Sequence, residues 1–98
     1  MKLGEIYNLS IQLGMEGDPR GKAGTQKALD KAMKEYEKID EKEKPYFDTE
    51  TLTNPYSDTR ILFGDPEKEI RKIITGIDIE GDELIVASKL GDIDAAVA

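Results

Sequence analysis

The sequence predicts an α/β protein with an incomplete sheet, and three observations lead to this fold class. Two amphipathic helices are expected within residues 1–47. Two apolar strands are expected near residues 70–78 and 93–97, and a segment with helical spacing near 82–90 lies between them. Strand, crossover helix and strand make a βαβ unit, whose crossover should be right-handed. Because a parallel pair of strands needs cover on both faces, residues 1–98 are expected to form the N-terminal portion of a larger α/β domain.

The first helix is predicted from apolar residues that recur every three or four positions between residues 3 and 13, with Gly14 as its end. The second helix has two candidate starts, Asp18 followed by proline and Thr25, since glycines weaken the intervening turns. Its apolar stripe reaches Ile39, and Pro45 is expected to end or kink it. Both helices are expected to pack one face on the rest of the domain.

The middle of the chain is expected to be a long loop with one short strand. Residues 48–58 are rich in Asp, Thr, Asn, Pro and Ser, which is typical of loop. Tyr46 and Phe47 are expected to anchor this loop, and residues 59–63 form a candidate strand. The domain therefore divides into a helical part (1–47), a loop with a short strand (48–69) and the βαβ unit (70–98).

Composition excludes several function classes. The 98 residues contain no Cys and no His, which removes thiolate chemistry and the commonest general base and metal ligand. The net charge is −7, and the whole excess lies in residues 45–98. Phosphate backbones repel such a surface, so nucleic-acid binding is not expected. No apolar run approaches membrane length, and the sequence predicts a cytoplasmic protein without a membrane partner.

Candidate functional residues are few. Asp78 and Glu80 lie at the carboxyl end of the first parallel strand, where open α/β sheets bind ligands. They are candidates for a Mg²⁺ or Mn²⁺ site or for an acid–base pair, with Asp58 and Arg60 as further weak candidates. The simpler alternative is that Asp78 or Glu80 caps the following helix. A phosphate loop is excluded, because the turn IDIEGDE offers one glycine and four acids.

The order of segments resembles the N-terminal part of the NGG-one-interacting factor three-like family, especially its archaeal members. The resemblance rests on NPYSDTRILFGDPEKEIRKIITGIDIE at 54–80, on GMEGDPRGK at 14–22, and on the Lys/Glu-rich helix that ends near residues 46–48. The matching positions are Asp58, Leu62, Gly64, Asp65, Pro66 and Asp78. The resemblance covers essentially the whole chain.

The resemblance implies a larger α/β protein, often a hexameric toroid, with two divalent metal ions in the full-length family. Its members are regarded as GTP cyclohydrolase-like or metal-dependent hydrolases. Their first metal ligands follow the second parallel strand as His-His-Pro, and this chain carries no counterpart, so no ligand is transferred. The resemblance therefore implies a portion without metal, cofactor or catalytic residues of its own.

Two alternatives stay open beside this interpretation. The chain is a candidate for a short acidic scaffold module that self-associates by pairing its exposed sheet edge with another chain. It is also a candidate for a small Mg²⁺-dependent enzyme that uses Asp58, Asp78 and Glu80. The first alternative requires a defined oligomer and the second requires binding of a divalent cation.

Overall fold

The computed structural model describes residues 1–98 and shows three helices and a two-stranded parallel sheet. The elements are, in order, α1 (Leu3–Glu16), α2 (Gly21–Lys38), two 3₁₀ turns (Lys44–Tyr46 and Thr49–Leu52), β1 (Ile73–Thr75), α3 (Gly81–Leu90) and β2 (Ala95–Val97). β1 and β2 are parallel, and Ile73 pairs with Ala95. The predicted α/β fold with an incomplete sheet is confirmed.

The chain divides into two compact units. Residues Met1–Ile6 and Phe63–Ala98 form one, here called the βαβ unit, and residues Tyr7–Leu62 form the other, here called the helical unit. The helical unit contains most of α1, all of α2 and both 3₁₀ turns. The βαβ unit contains the start of α1, both strands and α3.

In the helical unit, α2 begins at Gly21, between the two predicted starts. Thr25, the alternative cap, lies inside the helix and is fully buried, and its hydroxyl donates to the carbonyl oxygens of Gly21 and Lys22 at 3.2 and 3.1 Å. The helix ends at Lys38, before the expected end at Pro45, because Ile39 takes an extended conformation with ψ 154°. A separate turn, closed by the Asp40 carbonyl oxygen, then leads to Pro45.

The loop that follows α2 differs from the prediction in two places. Phe47 packs on the Tyr36 ring with centroids 5.2 Å apart, as an anchor should, but Tyr46 is 89% exposed and anchors nothing. The short strand expected at residues 59–63 is wrong, because no strand pairs with it. The Thr59 carbonyl oxygen instead accepts a side-chain hydrogen bond from Asn54 at 2.7 Å.

In the βαβ unit, the strands are shorter than the apolar runs that predicted them. Ile70, the buried apolar residue of the unit at 6% exposure, lies before β1 and bonds to the N-terminal segment. Its N–H donates to the Met1 carbonyl oxygen at 2.8 Å, and Lys2 forms an antiparallel bridge with Glu69. The run 70–78 is therefore divided between two neighbours, and only Ile73–Thr75 pairs with β2.

Candidate functional site

The carboxyl end of β1 holds Asp78 and Glu80, and the structure gives them different environments. Asp78 is exposed in a bend after β1. Glu80 is the N-cap of α3 and forms a capping box with Glu83, whose Oε2 accepts the Glu80 N–H at 2.9 Å. A capping box satisfies free N–H groups in the first turn of a helix, so the local role of Glu80 is structural.

The residues of this chain do not fit a dinuclear metal centre. Nowhere do three or more Asp or Glu side chains converge in a group that could hold a metal ion. The chain also lacks His and Cys, the nitrogen and sulfur donors of such sites. A centre of the kind that the resembled family carries would need donors from elsewhere.

In the helical unit, Arg60 joins a cluster of acidic loop residues. Its Nη2 lies 2.6 Å from Asp48 Oδ2 and its Nη1 lies 3.4 Å from Glu50 Oε1. The hydrogen bond that Arg60 donates to the Asp48 carboxylate raises the pKa of Arg60, and the same bond lowers the pKa of Asp48. Asp58, two residues earlier, is exposed in a turn. Arg60 therefore holds the loop between the second 3₁₀ turn and residue 60 in place.

Next to this cluster lies a buried polar network that the sequence did not single out. Asn54 is only 2% exposed, and its Nδ2 donates to the Thr59 carbonyl oxygen at 2.7 Å and to Tyr7 Oη at 3.1 Å. Its Oδ1 accepts the Tyr56 N–H at 2.8 Å. Tyr7 donates in turn to Glu50, and burial, followed by this bond to Glu50, raises the pKa of the Tyr7 phenol. The network ties α1 to the loop.

A second network fixes the turn between α1 and α2. Asp18 accepts the Arg20 N–H at 2.9 Å, and its Oδ2 accepts bonds from Arg20 Nη2 and Tyr56 Oη at 2.8 and 2.9 Å. The hydrogen bond from the Arg20 side chain, with help from the Arg20 N–H and Tyr56, lowers the pKa of Asp18 well below its ordinary value. The Tyr56 ring lies against Gly14, where a Cβ would stand 3.1 Å from Tyr56 Cε2. Asp18 is thus a turn residue and not the predicted helix cap.

An open groove of about 300 Å³ lies between α2 and the second 3₁₀ turn. Its lining is mixed in charge and polarity: Ala28, Lys31, Ala32, Glu35, Phe47, Asp48 and Thr51. None of the lining residues has a buried side-chain polar atom without a hydrogen-bond partner, so the groove does not indicate a binding site.

In the βαβ unit, Asp94 lies just before β2 and forms hydrogen bonds with the residues just before β1. Its Oδ2 accepts the N–H groups of Arg71 and Lys72 at 2.8 and 3.1 Å, and its own N–H donates to the Lys72 carbonyl oxygen at 2.7 Å. The Lys68 ammonium bonds to the Asp94 carbonyl oxygen at 3.1 Å. These two backbone N–H donors, first Arg71 and then Lys72, lower the pKa of Asp94. We call this arrangement the Asp94 clamp.

In the βαβ unit, α3 carries a group of exposed apolar residues. The α3 apolar surface consists of four aliphatic residues that are 50–61% exposed: Leu84, Ile85, Val86 and Leu90. Three of them are consecutive, so at 100° per residue they point to different sides of the helix. Exposed apolar residues on several sides of a helix are typical of a helix that other protein covers on more than one side. Ile77, just before α3, is 96% exposed.

Comparisons with known proteins found no relative of this chain. No family model matches the sequence, and no curated protein or solved structure matches it. None of the helices has both the length and the apolar character needed to cross a membrane.

Proposed function

We propose that this chain is a non-catalytic scaffold portion of an α/β protein, whose sheet and crossover helix are completed by strands and helices that it does not itself supply. The observation that carries the proposal is the exposed α3 apolar surface beside a sheet of only two three-residue strands. Parallel sheets are normally covered on both faces, and a crossover helix with exposed apolar residues on several sides requires a second neighbour. Both requirements point to further protein around this unit.

The resemblance to the NGG-one-interacting factor three-like family fits this proposal. Members of that family are larger α/β proteins with two metal ions, and their first metal ligands follow the second parallel strand. This chain has no His and no convergent acidic group, so the metal-dependent hydrolase chemistry proposed for the family requires residues outside it. The role proposed for the chain is to build the scaffold.

The scaffold proposal is tested by an environment-sensitive dye that fluoresces on exposed apolar surface, at protein concentrations below about 1 µM. We expect Ile85→Lys to lower the bound-dye fluorescence about twofold, because it removes the centre of the α3 apolar surface. The matched control is Leu13→Lys, which changes a leucine of similar exposure in the helical unit. Absent dye binding, or an equal loss in both variants, would show that α3 is no special surface and would overturn the proposal.

A second experiment tests whether the chain binds divalent metal ions. Calorimetric titration with Zn²⁺, Mn²⁺ and Mg²⁺ should show binding no tighter than about 1 mM, since isolated surface carboxylates supply too few oxygen ligands. The variant Asp78→Asn should titrate like the unaltered chain. Two ions bound at micromolar affinity, with a loss on changing Asp78, would instead support the enzyme that uses Asp58, Asp78 and Glu80.

A further inference from the structure

Two consecutive apolar side chains in the middle of the chain stand almost entirely in solvent. Leu62 is 93% exposed and Phe63 is 96% exposed. A buried leucine or phenylalanine is among the larger single contributions to the stability of a fold. Because these two side chains are not buried, they add almost nothing to the stability of this chain.

The backbone around these two residues is also unattached. Residues 61–64 lie outside every helix and strand, and their N–H groups and carbonyl oxygens form no hydrogen bond. Lifting this segment away from the protein therefore breaks no hydrogen bond. Exposure and an unbonded backbone are the properties from which the site of proteolytic cutting in a folded chain is argued.

Both ends of this free segment are held in place. Before it, Arg60 Nη2 lies 2.6 Å from Asp48 Oδ2. After it, the Pro66 carbonyl oxygen accepts the Gly4 N–H at 2.8 Å. The free segment is thus short, so a protease that enters here would cut at one place.

We propose that the Phe63–Gly64 peptide bond is a processing site for an endopeptidase whose specificity pocket accepts aromatic and leucine side chains. Apolar pockets of this kind take the side chain that precedes the cut, here Phe63. Gly64 follows at φ 123°, and a glycine exchanges this conformation for the extended one of a bound substrate without strain. Water adds across the bond: its hydroxyl joins the Phe63 carbonyl carbon, a hydrogen joins the Gly64 nitrogen, and proton transfer leaves a carboxylate and an ammonium group.

Other exposed residues of the same type are attached to the fold. Tyr46 is 89% exposed, but it lies in a 3₁₀ turn in which its N–H donates to the Glu43 carbonyl oxygen at 2.9 Å. The exposed leucines other than Leu62 lie within helices: Leu9, Leu13, Leu84 and Leu90. A cut at these positions first requires hydrogen bonds to open, and cleavage falls with the population of the open state. The Phe63–Gly64 bond is therefore expected to be cut about tenfold faster than any of them.

A cut at this bond changes how residues 64–98 are attached. They belong to the same compact unit as Met1–Ile6, from which α1 continues into the helical unit. Within the βαβ unit, the Leu3 N–H donates to the Lys68 carbonyl oxygen at 2.9 Å. After the cut, noncovalent contacts such as this one are all that holds residues 64–98, so their attachment becomes reversible. A cut site here would thus allow β1, α3 and β2 to be released, and it does not depend on the scaffold role.

The first test is brief digestion of the 98-residue chain with a trace of chymotrypsin, followed over time by intact mass. The first products should be residues 1–63 and 64–98. Replacing both apolar side chains, Leu62→Asp with Phe63→Asp, should lengthen the lifetime of the intact chain about tenfold. The control Tyr46→Asp changes an aromatic residue of similar exposure and should leave the lifetime unchanged. A first cut elsewhere, or equal lifetimes of the two variants, would overturn the inference.

The second test separates access to the backbone from the choice of side chain. Phe63→Arg creates a trypsin site in the free segment, and Tyr46→Arg creates one in the 3₁₀ turn; both variants are checked for unchanged helix content by circular dichroism. Trypsin should cut the first introduced site about tenfold faster than the second, because only the second is held by backbone hydrogen bonds. Similar rates would mean that the free segment is no more accessible than an ordinary turn and would refute the proposed site.

Discussion

Replacing Asn54 by Ala should be among the most destabilising single changes in the helical unit. The side chain is 2% exposed and makes three hydrogen bonds of 3.1 Å or shorter, to the Thr59 carbonyl oxygen, Tyr7 Oη and the Tyr56 N–H. Each such bond contributes about 1 kcal/mol net, and a buried partner left unpaired costs about 1–3 kcal/mol. The expected loss in the free energy of unfolding is therefore about 3 kcal/mol, a large part of the roughly 5–15 kcal/mol of a small domain.

The assay is urea denaturation followed by far-ultraviolet circular dichroism, to which α1 and α2 contribute most of the signal. With a slope of about 1.5 kcal/mol per molar urea, the midpoint should fall by about 2 M. The control is Asn8→Ala on the exposed side of α1, which should change stability by less than about 1 kcal/mol and in the stabilising direction, because Ala is the better helix former. Equal effects of the two changes would refute the network as a source of stability.

The Tyr7 hydroxyl permits a second check by a double-mutant cycle. Tyr7→Phe removes only the hydroxyl that accepts from Asn54 and donates to Glu50. Because both changes break the same contact, their combined effect should be smaller than the sum by about 1 kcal/mol. Simple additivity would mean that the two side chains act independently.

Two further predictions concern the βαβ unit. Gly91→Ala should destabilise the protein by about 1 kcal/mol, because Gly91 ends α3 at φ 80°, where a side chain is strained. Gly81→Ala should be neutral or stabilising, because the space around its Cβ position is open. The urea midpoints of the two variants test this difference. Asp94→Asn should flatten the acid side of the stability profile. Since the folded pKa of Asp94 lies below the unfolded one, its carboxylate stabilises fully above the unfolded pKa, and this contribution is lost as pH falls through the folded pKa. Denaturation curves between about pH 2 and 7 would contradict this if Asp94→Asn and the exposed control Asp58→Asn gave the same slope.

The sequence predicted the elements whose signals are local. The amphipathic spacing of α1 and α2 and the order strand, helix, strand near the C-terminal end are periodic patterns, and such patterns mark elements wherever the chain later packs. The helix predicted near residues 82–90 is α3, and it ends at Gly91, where a glycine permits the left-handed turn that closes a helix.

What the sequence did not predict depends on contacts between distant residues. The apolar run from Ile70 to Asp78 has the composition of one long strand, yet Ile70 bonds to Met1 and the N–H groups of the next two residues bond to Asp94. No pattern in the neighbouring residues predicts Met1 or Asp94 as the partner. In the same way, Asn54 belongs to a stretch typical of exposed loop, and only tertiary packing buries it. Arg60 was a weak candidate for a functional residue, and in the structure it forms ion pairs with Asp48 and Glu50.

The Asp94 clamp has a consequence for the speed and order of folding. It joins residues 23 positions apart, whereas the contact between Asn54 and Tyr7 joins residues 47 positions apart. Loop-closure entropy rises by only about 0.6 kcal/mol for each doubling of the loop, so the shorter loop closes roughly threefold more readily. Chain length alone therefore gives the βαβ unit only a small kinetic advantage. Because contacts that are closer along the chain generally form faster, the Asp94 clamp is expected to form slightly before the contact between Asn54 and Tyr7.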